Sequence, residues 1–189
     1  MSFIEQEILP RLIFGISSGA IYALIAVGFT IVYNSTNIIN FAHGEFVMLG
    51  AMLMATIYPF FERLDLNQIM GVPFGSISSA LLSILIVLGI LVILGGIFEL
   101  LAIRPVKNGS ELSLIIITIG ASIFFKGLSR IIWGNQAISS IKPIINHDPI
   151  QFFSANIRPG NVWIYVVTLV TVIALTIFYK KSRIGRAMK

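Results

Sequence analysis

The chain has no cysteine and little charge of either sign. Without cysteine there is no disulfide framework, no thiol nucleophile and no Cys-based metal site, and the redox compartment is not readable. Only two histidines occur, His43 and His147. No HExxH, GxSxG or paired-Asp motif is present, so no catalytic residue and no metal ligand set is assigned, and no cofactor is implied. No Gly-x-x-x-x-Gly-Lys-Ser/Thr string appears either, so the chain does not hold ATP in a P-loop. Charged residues make up 11% of the 189 positions, against roughly a quarter in an ordinary soluble domain.

In place of charge the chain carries apolar surface. Hydrophobic residues account for 57% and mean hydropathy is +0.95. A soluble fold of this size has no way to hide that much apolar area from water, whereas a bilayer accepts an apolar exterior. The net charge of +5 does not point to nucleic acid, because the basic residues gather at the ends of hydrophobic runs, as membrane topology requires. The apolar run after MSFIEQEILPR is too long for a signal-peptide core and follows Glu5 and Glu7, so it reads as a first membrane helix.

A membrane-crossing helix needs about 20 apolar residues. Five stretches qualify: 12–33, 38–60, 77–98, 112–133 and 162–179. The fold class is therefore all-α, a polytopic transmembrane helical bundle of one domain over 1–189. The fifth stretch covers only about 27 Å by helical rise and is barely sufficient. The intervening segments, Asn34–Asn37, Phe61–Ser76, Glu99–Glu111 and Gly134–Asn161, read as loops. With the C-terminus inside, five spans place the N-terminus outside. The inner side then holds Arg104, Lys107, Lys180, Lys181, Arg183, Arg186 and Lys189, and the outer side holds Arg11, Arg63, Lys142 and Arg158. Lys126 and Arg130, one turn apart near the outer end of the fourth span, either snorkel to the headgroups or face the bundle interior.

Two features stand out within the spans. Gly15, Gly19 and Ala23 recur at a spacing of four and form a smooth stripe, either for ordinary helix packing or for a helix facing a pathway. The second span opens Asn37-Ile38-Ile39-Asn40-Phe41-Ala42-His43-Gly44-Glu45. A carboxylate at bilayer depth costs at least about 2.5–3.5 kcal/mol on insertion scales, which calls for a compensating role. Asn37, Asn40, His43 and Glu45 are thus candidates for a polar translocation pathway or gate. A structural lock on neighbouring helices and simple hydration near the inner surface are the competing readings.

Three strings together carry a family resemblance: Asn40–Gly50 (NFAHGEFVMLG), Glu99 followed by Arg104-Pro105, and Ser182–Met188 (SRIGRAM). With the first span GISSGAIYALIAVGFTIVY, they resemble the LivH-type permease subunit of branched-chain amino-acid ABC transporters along essentially the whole chain. The resemblance implies a non-enzymatic transport subunit in the cytoplasmic (inner) membrane of a bacterium or archaeon. It would pair with a second permease subunit, cytoplasmic ATPase subunits and an extracytoplasmic amino-acid-binding protein, within the lipid bilayer and with no nucleic acid. The implied substrates are leucine, isoleucine and valine. Related permeases take urea or short amides, often with Met at the position of Phe41. The resemblance also implies further spans after Lys189, so the chain is expected to be a fragment or a shortened product, and a truncated, non-transporting membrane protein is the other outcome.

Overall fold

The computed structural model describes residues 8–63, 75–106, 109–135, 150–152, 155–157 and 159–181. Loop residues 64–74, Lys107, the stretch 136–149 with Lys142 and His147, Arg158, and the basic tail from Ser182 lie outside the described residues. Five long helices are described: α1 (Leu9–Thr36), α2 (His43–Arg63), α3 (Gly75–Phe98), α4 (Glu111–Trp133) and α5 (Pro159–Lys181). A short antiparallel hairpin, β1 (Ile150–Phe152) with β2 (Ala155–Ile157), pairs Ile150 with Ile157 and Phe152 with Ala155 inside the segment expected to be loop. The described residues are otherwise helical or connecting, as the composition demands.

Four helical stretches are long and apolar enough to cross a membrane: Arg11–Thr36, His43–Arg63, Ser78–Val106 and Glu111–Trp133. In α5 the apolar part, Val162–Phe178, is shorter, about 25 Å by helical rise. The helices divide between two compact units, one containing α1, the hairpin and α5, the other spanning Ile38–Ile144 with α2, α3 and α4.

In the first unit, α1 opens with a proline in its first turn, where a missing N–H costs nothing, and ends at Asn37. Asn37 sits in the left-handed region at φ 52° and donates its N–H to Tyr33 O at 2.7 Å, closing the helix. The hydroxyls of Ser17, Thr30, Ser35 and Thr36 return to the carbonyl four residues back, as Thr30 does to Ala26 and Ser35 to Ile31, which satisfies them in an apolar medium. Ser17 Oγ, Tyr165 Oη and Ile13 O form a triangle with sides of 2.7–3.0 Å that ties α1 to α5 near their N-terminal ends. Farther along, Val27, Ile31 and Asn34 of α1 share an open crevice of about 240 Å³ with Val172, Leu175 and Thr176 of α5, so the two helices run parallel.

In the second unit, α2 and α3 form an antiparallel pair. Gly50 is the point of close approach: a Cβ there would stand 3.2 Å from Leu91 Cδ1. Ala42, Leu49, Phe98 and Phe125 are buried together, with Phe46 packed against them. The rings of Phe46, Phe98 and Phe125, one from each helix, lie 5.3–5.8 Å apart in tilted or edge-on arrangements. Trp133 Nε1 donates to Thr56 Oγ1 at 2.7 Å, so α4 runs parallel to α2.

Several boundaries differ from the sequence reading. The second span does not begin at residue 38. Asn40 Oδ1 accepts the Ala42 N–H at 3.0 Å and Asn40 O accepts the His43 N–H at 3.2 Å, a local turn that delays the helix to His43. Helical structure also does not stop at Phe98. A π-helical turn, Glu99–Ile103, and a 3₁₀ turn, Arg104–Val106, carry it on. The wider π spacing brings residue 104 over residue 99, where Arg104 N–H meets Glu99 O and Arg104 Nε lies 3.6 Å from Glu99 Oε1. The fourth span begins one residue early, with Ser110 capping α4 by accepting the Ser113 N–H at 3.3 Å.

The close contact at Gly50 gives a direct check. Gly50→Leu should lower the melting temperature of the purified protein, since overpacking costs about 1–3 kcal/mol. Gly120→Leu, where a Cβ meets nothing within 4 Å, should leave it nearly unchanged. Equal melting temperatures for the two variants would refute the tight α2–α3 packing.

Candidate functional site

The polar string of the second span does not form one cluster. Asn37 caps α1 and is exposed. Asn40 is half-buried and spends its side chain on the turn that starts α2. His43 is the first residue of α2 and is half-buried. Glu45, two residues on, is buried at 7% exposure. Its place in the first turn is electrostatically favourable, because the unpaired N–H groups there carry partial positive charge.

What Glu45 meets comes from α4. Ser122 Oγ donates to Glu45 Oε1 at 2.8 Å, and Lys126 Nζ lies 3.2 Å from the same oxygen. Ser122 and Lys126 are one turn apart, so a single face of α4 presents both donors. Ser122 is the central residue of α4, about 16 Å by helical rise from either end. The contact thus lies level with the middle of α4 and with the first turn of α2, inside two helices long and apolar enough to cross a membrane. An unpaired carboxylate there would be expensive; a hydroxyl donor and an opposite charge are the compensation. Among the described residues no group of three or more His, Asp or Glu is placed to hold a metal.

Lys126 is not wholly enclosed: its side chain is 56% exposed, against 10% for Glu45. Arg130, one further turn along α4, is exposed and has no ion-pair partner among the described residues. Of the two expectations for Lys126, snorkelling or facing the bundle interior, its contact with Glu45 is in line with the second. The partnership with Glu45 was not readable because 77 positions separate Ser122 from Glu45. One signal was available: two opposite charges inside spans of a chain this poor in charge have few other partners.

The stripe on the first span is placed differently. Gly15, Gly19 and Ala23 are all exposed, and a Cβ at Gly15 or Gly19 meets nothing within 4 Å. Within its unit α1 instead meets α5 through Ser17. The crevice between these two helices is lined by no acid or base.

The pair should behave as a coupled unit. Lys126→Met strands a buried carboxylate; removing one partner of a wholly buried pair costs about 3–5 kcal/mol, and the exposure of Lys126 reduces this to ~1–2 kcal/mol. Glu45→Gln combined with Lys126→Met should recover most of that loss, since glutamine still accepts from Ser122. Thermal melts of the two variants beside the unsubstituted protein measure the coupling; a double variant no more stable than Lys126→Met would contradict it.

Comparison with known proteins covers nearly the whole chain. The family model described as the branched-chain amino acid transport system permease component matches residues 11–189. The high-affinity branched-chain amino acid transport system permease protein LivH of Escherichia coli K12 is 35% identical over 188 residues, and that of Salmonella typhimurium LT2 is 34% identical over the same length. The corresponding protein BraD of Pseudomonas aeruginosa is 31% identical over 189 residues. Each alignment covers 96% of this chain and 58% of the relative, so the chain spans a little over half the length of the curated relatives it matches. No solved structure matches. The chain is a multi-pass membrane protein, and it belongs to the family of permease components of branched-chain amino acid transport systems.

Proposed function

We propose that the chain belongs to a membrane-spanning permease subunit of an ABC importer that moves leucine, isoleucine and valine across the cytoplasmic membrane. Its likeness, end to end, to relatives named as high-affinity branched-chain amino acid permeases carries this reading. The membrane-spanning helices supply the setting, and buried Glu45 with half-exposed Lys126 supplies polar chemistry within it. ATP hydrolysis belongs to separate cytoplasmic subunits, a second permease subunit completes the bundle, and an extracytoplasmic binding protein delivers the substrate. All five long helices then cross the bilayer as one permease domain, with the N-terminus outside and the basic tail inside, where cytoplasmic Lys and Arg are enriched. In this reading Asn37, Asn40, His43 and Glu45 line the path or its gate.

Labelled uptake tests the reading. Cells lacking their own branched-chain amino acid importers and carrying the full-length gene with its partner subunits should accumulate leucine saturably. Isoleucine and valine should compete and urea should not. Accumulation of urea or a short amide without leucine would replace the proposal with an amide permease, and no uptake of either, with all subunits assembled, would replace it with a non-transporting membrane protein.

A further inference from the structure

The Glu45–Lys126 contact is unusual in where its open side points. A carboxylate has about four acceptor positions and an ammonium three donors. Ser122 and Lys126 both use Glu45 Oε1, and more than half of the Lys126 side chain is uncovered. The pair therefore retains hydrogen-bonding capacity on both partners, at the level of the central residue of α4.

Two neighbouring features cannot face lipid. One is the exposed part of Lys126 itself, too far from either end of α4 for its ammonium to be at the bilayer centre without cost. The other is the backbone just before α2. Residues 38–42 are not helical, with Ile39 and Phe41 exposed, and they precede Glu45 by less than two turns. Irregular backbone at membrane depth is tolerated only where protein covers it or where it borders a water-filled space. Both features adjoin Glu45, one in space and one in sequence, and each favours water over lipid beside it.

We propose that Glu45 and Lys126 form a binding subsite for the zwitterionic head of a free amino acid, the α-ammonium on Glu45 and the α-carboxylate on Lys126. The inference rests on the function proposed above and names its contact point within the membrane. Charge balance favours it. A zwitterion is net neutral, and so is the pair; binding replaces part of one ion pair with two charge-assisted contacts and buries no net charge. An ammonium alone or a carboxylate alone would leave one partner uncompensated. On α4 the exposed Ile119 and Ile123 precede Lys126 at helical spacing, so an apolar strip lies beside the charged head, as a branched aliphatic side chain needs.

Binding of radiolabelled leucine to the assembled transporter in nanodiscs, without the binding protein, tests this directly. Leucine should bind, while leucinol, which lacks the carboxylate, and 4-methylpentanoate, which lacks the ammonium, should compete at least about tenfold less well, the loss expected for one charge-assisted hydrogen bond. The double variant Glu45→Gln/Lys126→Met should assemble with wild-type ATPase subunits and lose leucine binding by at least about tenfold, while Lys126→Arg should retain it. Leucinol competing as well as leucine, or undiminished binding in the assembled double variant, would overturn the subsite, as would no leucine binding by a transporter that imports leucine. The competition series needs no variant, so a misfolded double variant does not block the test. A wild-type transporter that imports no amino acid at all would instead overturn the proposed function.

Discussion

A buried carboxylate is cut off from bulk water and must be met by the protein, and the unit built from α2, α3 and α4 is organised around that constraint. Glu45 lies opposite the central residue of α4, and its charge is met within the protein by the Ser122 hydroxyl and the Lys126 ammonium. The contact fixes the register of α2 against α4. With Glu45 level with Ser122, Thr56 comes level with Trp133 and receives its indole N–H. The rings of Phe46, Phe98 and Phe125 close the same layer from all three helices. Ordinary apolar packing is weakly discriminating in lipid, because a lipid tail is as good a neighbour as a leucine. A charge pair and a ring cluster at one level specify which residues face each other.

The same constraint governs the smaller polar groups. Ser and Thr hydroxyls in α1, α2 and α5 return to carbonyls of their own helices, as Thr56 does to Met52 and Thr168 to Ile164. Among buried side-chain atoms of the described residues, Tyr58 Oη alone has no hydrogen-bond partner. Irregular backbone appears where a side chain or spacing change takes over hydrogen bonding. Asn40 does this before α2, and the π-helical turn with its Glu99–Arg104 contact does it after α3. Charge and irregularity thus concentrate next to Glu45 and at the far end of α3.

Much of this was legible in the sequence, and the gaps have physical causes. Hydropathy located the helices, because crossing a membrane demands long apolar runs. It misplaced the start of α2, since Ile38, Ile39 and Phe41 are as apolar as any helix interior, and only the Asn40 side chain reveals the turn. It ended the third span at Phe98 because Glu99, Arg104 and Pro105 read as a loop, whereas a π turn accommodates all three in continuing helical structure. Glu45 was conspicuous from its depth alone. Its partner was not, because contacts between helices carry no spacing signature along the chain. The Gly15–Gly19–Ala23 stripe is exposed within its unit, and the residue that joins α1 to α5 there is Ser17, on another face.

If the exposed side of the Glu45–Lys126 contact borders a substrate path, it meets water rather than lipid. These 189 residues hold no cysteine, so a single cysteine introduced among them is a clean probe once any cysteine elsewhere in the transporter is replaced. Ile123, exposed on α4 one turn from Lys126, can be replaced by a single cysteine in the assembled transporter. A charged, membrane-impermeant maleimide should label Ile123→Cys, and leucine should slow the labelling. Labelling only by a lipid-soluble maleimide, indifferent to leucine, would contradict an aqueous path at this site.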